Sequence, residues 1–442
     1  MYTKLSKEKL AEIYKKLESE YTALKAAGHK LDMSRGKPGP DQLDLTNDML
    51  THCLDGDYIS EEGIDCRNYG VLDGLIEAKR LFMPMLGVNE NELIIGGNSS
   101  LQLMYDTIAK AMLFGVLGKD GRATKPWCDY SRGEHIKFLC PCPGYDRHFA
   151  ISESMGMVLV PVPMNENGPD MDIVEKYVEN DPEVKGIWCV PLYSNPGGVS
   201  YSDETVRRFA ALRPMADNFR IFWDNAYAVH HLSDDHDTVL NILDEAKKLD
   251  NENVVYIFSS TSKISYPGGG LAVVAGSAAN IAFLKHQMSF QTIGFDKLNQ
   301  LRHAKFFGSF AGIEQQMLHH KAILKPKFDL VLKKLSEKIE PLNAGTWHEP
   351  RGGYFVSFDG RYGTAARTTK LCKDAGLVIT GAGAAYPYGK DPDDANLRIA
   401  PTYPNLSELD TAMDIFCLAE KMAFIEAIEK YPNKFGRSGE EI

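Results

Sequence analysis

The sequence predicts an α/β fold built on a mainly parallel sheet covered by helices on both faces, followed by a smaller α+β domain. Three observations predict it. Six short apolar runs, HIKFLCP, MVLVPVP, KGIWCVPL, FRIFWD, NVVYIF and LAVVAGS, fill residues 135–277. Most are separated by stretches with helical spacing, such as DMDIVEKYVEN and SDETVRRFAALRPMA. Continuous apolar strands alternating with helices are buried on both faces, which is the pattern of a parallel sheet. After about Lys321 the texture shifts to a long charged helix and isolated strands.

Taken in order, residues 1–28 form a charged amphipathic helix closed by Gly28, a residue suited to a left-handed cap. SRGKPGPDQLDL (34–45) reads as an extended Gly/Pro loop. ELIIGG is a short strand, and NSSLQLMYDTIAKAMLF opens with capping residues before a helical apolar stripe. The strand–helix alternation follows. A helix over 321–340 then leads to GGYFVSF, a further helix, GLVITG, NLRIAP and the final helix SELDTAMDIFCLAEKMAFIEAIEKY. Three regions result: an arm at 1–45 that packs on the small domain, a large domain at 46–320 and a small domain at 321–442.

Composition excludes several function classes. The chain has 442 residues and a net charge of −11, which disfavours nucleic acid and anionic membranes as partners. No apolar run is long enough to cross a bilayer, and the N-terminal helix lacks the apolar core of a signal peptide. Eight cysteines without an export signal read as reduced thiols in the cytoplasm. Cys140 and Cys142 lack the second pair that a zinc site needs, and VHHLSDDHD (229–237) lacks helical ligand spacing, so no metal is expected. YPGGG and GAGAA have neither the P-loop lysine nor the strand-to-helix setting of a nucleotide loop.

The chemistry concentrates in FSSTSKISYPGGGLA. Lys263 stands past an apolar strand, with hydroxyls behind it and three glycines ahead. Such a lysine can attach an aldehyde cofactor covalently while the hydroxyls take a phosphate; a surface lysine in a Ser/Gly loop is the plainer alternative. Asn195 in YSNPGG and Asp224 in FRIFWDNAY also follow strand ends, where ligands of open α/β sheets bind. For Asp224 alone a capping role competes, and for Asn195 a plain turn does.

Together with SRGKP, NYGVLDG, GGNSSLQLMYD, PCPGYDRHF, SNPGG, DNAY, SSTSK–PGGG, DKLNQLRH and LRIAPTYP, these strings resemble the fold-type I aminotransferases that use pyridoxal 5′-phosphate (PLP). In detail they are similar to the atypical bacterial aspartate aminotransferase subgroup. The resemblance runs from about residue 34 to the C-terminal helix and implies a seven-stranded type of sheet.

It also implies roles. Lys263 would carry PLP and then move a proton at the substrate, with burial keeping its amine nucleophilic. Asp224 would pair with the pyridine nitrogen. Asn195 and Tyr227 would bond the phenolic oxygen, Asn195 would also meet substrate, and Tyr145 would stack on the ring unless it serves the core. Asn98, Ser99 and Ser100 open a helix and would take the phosphate with Ser260 and Ser262; capping is their ordinary role. Tyr69 would reach the phosphate of a partner subunit in a homodimer. Where many relatives carry a phosphate-binding arginine, this chain has Leu271.

Arg398 would clamp the substrate α-carboxylate with its planar fork, and Gly36 would bring backbone close to it. Arg35, Lys37, Lys297 and Arg302 are the candidate cations for a second, distal carboxylate. The expected reaction moves the amino group of L-aspartate to 2-oxoglutarate in two halves, with ping-pong kinetics. A PLP-dependent lyase, another amino donor and a non-catalytic PLP-binding sensor are the rival readings.

Overall fold

A computed structural model describes residues 2–53, 56–129 and 136–437. Met1, residues 438–442 and His135, the first residue of the HIKFLCP run, lie outside the described residues.

Thirteen strands occur among the described residues: β1 (Leu31–Met33), β2 (Leu93–Ile95), β3 (Lys137–Cys142), β4 (Val158–Asn165), β5 (Gly168–Pro169), β6 (Val184–Cys189), β7 (Arg220–Asp224), β8 (Val255–Ser260), β9 (Ala272–Gly276), β10 (Gly345–Trp347), β11 (Val356–Gly360), β12 (Leu377–Ile379) and β13 (Asn396–Ile399). The main sheet has the order β2-β9-β8-β7-β6-β3-β4-β5. Its centre, from β4 through β3, β6 and β7 to β8, is parallel. β9 runs against both β8 and β2. The two-residue β5 is a short hairpin return from β4, so seven strands carry the layer.

The residues explain the parallel core. β6, β7 and β8 are buried at every position, and their Ile, Val, Phe and Trp side chains feed two apolar layers on opposite faces. On one face Trp188, Phe138 and Phe222 pack at centroid separations of 5.0–5.6 Å. Such aromatic contacts add to the area they bury.

The second unit holds an antiparallel sheet β10-β11-β13, with the helix Leu406–Lys430 packed behind it. β1 pairs in parallel with β12, and Tyr21 of the helix Lys7–Ala26 donates its hydroxyl to the Leu371 carbonyl at 2.9 Å. The N-terminal segment thus lies against the second unit.

Three elements differ from the sequence reading. The segment expected as a Gly/Pro loop turns helical at Pro40–Leu43 and continues as 3-10 helix over Asp44–Thr51. Pro40 sits at the first helical position, where its missing N–H is no loss. The helix expected at 321–340 begins earlier, at Phe310, and ends at Lys338. It starts among the apolar side chains of the main sheet with Ile313 and Met317, then enters the second core with Leu324, Phe328 and Val331. A face that changes partner midway shows no single stripe. The SDETVRRFAALRPMA helix stops at Ala211, since Pro214 disfavours continuation.

Candidate active site

The carboxyl ends of β3, β6, β7 and β8 open on one cleft of about 830 Å³. Asp224 is the last residue of β7, and Lys263 follows the end of β8 by one tight turn, in which the Ile264 and Ser265 amides donate to the Thr261 carbonyl. The Thr261 hydroxyl in turn accepts from the Leu271 amide at 2.9 Å. Leu271 is buried in the core, so the position that would carry a phosphate-binding arginine is filled by apolar packing.

The structure brings Lys263, Asp224, Asn195, Tyr227, Tyr145, Ser99, Ser100, Ser260, Ser262, Arg35, Gly36, Lys37 and Arg398 to the lining of this cleft. It does not bring in Asn98 or Tyr69. The Asn98 amide turns away to the Pro267 and Gly268 carbonyls, both at 3.3 Å, and lines a neighbouring cavity with Arg302. Tyr69 is 81% exposed outside the cleft. Lys297 also stands apart, buried and donating to the Gly70 carbonyl at 3.0 Å.

Burial sets the electrostatics. It pushes the Lys263 amine below its ordinary range, against the opposing pull of the Asp224 carboxylate. The ammonium position lies over the rings of Tyr227 at 5.0 Å and Tyr354 at 5.6 Å. Burial raises the Tyr145 hydroxyl to about 12, and it raises Tyr227 well above its usual value.

Asp224 is held by a residue the sequence reading missed. His148 Nε2 lies 3.0 Å from Asp224 Oδ2, and its ring stacks on Trp188 at 4.4 Å and 10°. His148 stands one helical turn after Tyr145 in PGYDRHF, but nothing in that local spacing points to Asp224, 76 residues away. The other oxygen, Asp224 Oδ1, is buried without a partner. A buried carboxylate oxygen aimed at a cleft calls for a donor from a ligand. A protonated ring nitrogen is such a donor.

Elsewhere in the lining, Arg398 Nη1 donates to Asn195 Oδ1 at 3.2 Å and to Asp146 Oδ1 at 2.9 Å, and its guanidinium lies on the Phe355 ring at 4.9 Å. Gly36 presses on that same ring, and a Cβ there would come within 2.4 Å of it. Ser99 caps the helix Ser100–Phe114, accepting from the Gln102 amide at 3.4 Å. Ser260 donates to the Ser262 hydroxyl at 3.0 Å. Hydroxyls beside the first turn of a helix suit a phosphate.

The family model for aspartate amino-transferase matches residues 5–430. The chain belongs to the aspartate aminotransferase family. An aspartate aminotransferase of Corynebacterium glutamicum is 40% identical over 426 residues, covering 96% of both chains. The crystal structure of an aspartate transaminase from that species superposes with a TM-score of 0.92 at 39% identity, covering 96% of this chain and 98% of the other. An aspartate aminotransferase from Thermus thermophilus with maleate shares the fold at 16% identity and a TM-score of 0.67, over 92% and 96% of the two chains. The protein is thus a fold-type I aminotransferase of the atypical bacterial aspartate aminotransferase type. Its cofactor is PLP, and the residues present fit it: a half-buried lysine with its amine pKa pushed down, an orphaned carboxylate oxygen and a hydroxyl-rich helix start share one cleft.

Proposed function

We propose that the protein transfers the amino group of L-aspartate to 2-oxoglutarate, giving oxaloacetate and L-glutamate. The observation that carries this reading is that one cleft is lined both by Lys263, within the field of Asp224, and by Arg398. The 40% identity to an aspartate aminotransferase supports the choice of donor.

When bound, PLP would supply a sink for the electron pair released at the substrate Cα. The chain's residues do the rest. Asp224 Oδ1 keeps the ring nitrogen protonated, and His148 fixes Asp224 through its other oxygen. Asn195 and Tyr227 would bond the phenolic oxygen, Tyr145 would cover the ring, and Ser99, Ser100, Ser260 and Ser262 would hold the phosphate, with Asn98 bracing the neighbouring turn at Pro267 and Gly268. Arg398 binds the α-carboxylate beside Gly36, and Arg35 or Lys37 serves the distal one. Lys263 Nζ, its pKa pushed down by burial, would take the proton from the substrate Cα and pass it to the cofactor C4′ within the first half, and would run the same transfer in reverse in the second.

The protein acts as a cytoplasmic homodimer in which the exposed Tyr69 reaches the partner's phosphate. Eight cysteines without a disulfide support the compartment. No described helix is long and apolar enough to cross a membrane.

The test is a set of single half-reactions. Purified protein is mixed with a panel of amino acids while the cofactor spectrum is followed. Conversion by aspartate and glutamate alone is the expected result, with parallel initial-rate lines when both substrates vary. Release of ammonia and pyruvate from aspartate would replace this reading with a lyase.

A further inference from the structure

Arg398 meets the cleft with a carboxylate already on it. The two hydrogens of Nη1 go to Asp146 Oδ1 and Asn195 Oδ1. Nε makes only a long contact with the Thr380 hydroxyl, at 3.4 Å. Nη2 donates to no acceptor among the described residues. A substrate carboxylate therefore docks on the Nε/Nη2 side of a guanidinium whose charge is partly answered. Arg398 is 8% exposed, so little water screens the arrangement. Asp146 opens the helix Asp146–Ser154 directly after Tyr145, and it lines the cleft itself with its side chain 34% exposed.

We propose that Asp146 is a positioning residue that tunes substrate affinity through Arg398. Its carboxylate aims the guanidinium and also repels the incoming α-carboxylate, holding affinity below what Arg398 alone would give. The inference rests on the reading of Arg398 as the α-carboxylate's partner. Its logic is that of a two-half reaction. One guanidinium must release each oxo acid before the next acid enters, and binding energy shared by every bound acid does not speed the chemistry.

Two substitutions separate aim from charge. D146N keeps an oxygen acceptor for Nη1 and removes the charge, whereas D146A removes both. The holoenzymes are titrated with 2-methylaspartate and 2-methylalanine, which lack the Cα hydrogen and cannot be transaminated. Cofactor absorption reads the Kd. D146N is expected to bind both ligands about tenfold more tightly, the scale of one charge a few ångströms away in a partly screened site. The gain appears in Kd and in the KM for aspartate rather than in kcat. D146A is expected to gain less, because Arg398 is then less well aimed.

Unchanged or weaker binding by D146N would overturn the proposal, and D146A matching D146N would remove the positioning half. The dicarboxylate reading is tested separately in the same titration. Wild-type protein should prefer 2-methylaspartate over 2-methylalanine. Equal affinities would end that reading, while the ratio of D146N to wild type would still decide Asp146.

Discussion

A half-buried lysine whose amine is pushed below its ordinary pKa is the central physical property of this site. Lys263 has its folded-state pKa lowered by burial, so the unfolded chain binds more protons at this position in the window below the ordinary lysine value. Stability therefore rises with pH as the folded-state amine deprotonates, up to the pKa of the unfolded lysine. Lys263→Met removes the titrating group and keeps the apolar stem. The cofactor-free variant should melt higher than cofactor-free wild type, with the gap widest on the acid side and closing as pH rises. Thermal melts from pH 6 to 10 would check this. A constant gap across that range would mean that Lys263 is not buried without its cofactor. Much of this site was legible in residue order, because Lys263 and Asn195 come after strand ends and Asp224 closes one. His148 and Asp146 were not legible, since each acts through one long-range partner, Asp224 and Arg398. Linear spacing does not reveal such pairs.

At the scale of an element, the helix Leu406–Lys430 carries a carboxyl where only apolar side chains belong. Glu420 is fully buried in the second core; its Oε2 accepts from the Thr368 hydroxyl at 2.7 Å, and Oε1 has no partner. Burial pushes its pKa up to about 8 from the usual carboxylate value. Between that usual value and about 8 the folded state holds a proton that the unfolded chain has lost, so stability falls as pH rises through this window. Glu420→Gln keeps the acceptor and cannot ionise. The variant should match or slightly exceed wild type near pH 5. Its advantage should grow to the order of a few kcal/mol by pH 8 and then level off. Urea midpoints across pH would show it, and a wild-type curve parallel to that of the variant would refute it. The helix itself was plain in the sequence. The burial of Glu420 was not, because this helix is covered on most sides and its one buried acid breaks no stripe. The early start of the helix Phe310–Lys338 escaped for a related reason: its first turns serve one core and its later turns another.

Across the whole molecule, three distant segments meet behind Lys263. The Gln42 side-chain amide donates one hydrogen to the Tyr354 hydroxyl and one to His320 Nδ1, each at 2.9 Å. His320 then carries its own proton on Nε2 and donates it to the Ile264 carbonyl at 3.0 Å, next to the lysine. Burial keeps His320 neutral by lowering its pKa, which agrees with this proton placement. Gln42 belongs to the N-terminal segment, His320 to the helix that passes between the two cores, and Tyr354 to the approach to β11. The partners lie 278 and 312 residues from Gln42 in sequence, which is why no local pattern could announce them. All three side chains are buried, so removing the middle one strands two polar groups away from water. Gln42→Ala should therefore cost about 1–3 kcal/mol of stability, beyond what a surface glutamine would. It should also slow the half-reaction with aspartate, because the Ile264 carbonyl that steadies the lysine turn loses its fixed donor. Gln42→Glu offers the contrast: it fills the same volume, yet it can donate to neither neighbour when ionised, so it should be at least as damaging. Denaturant midpoints with stopped-flow half-reaction rates would decide it. Loss of stability without loss of rate would confine the network to holding the segments together, and loss of both would tie the N-terminal segment to the placement of the lysine.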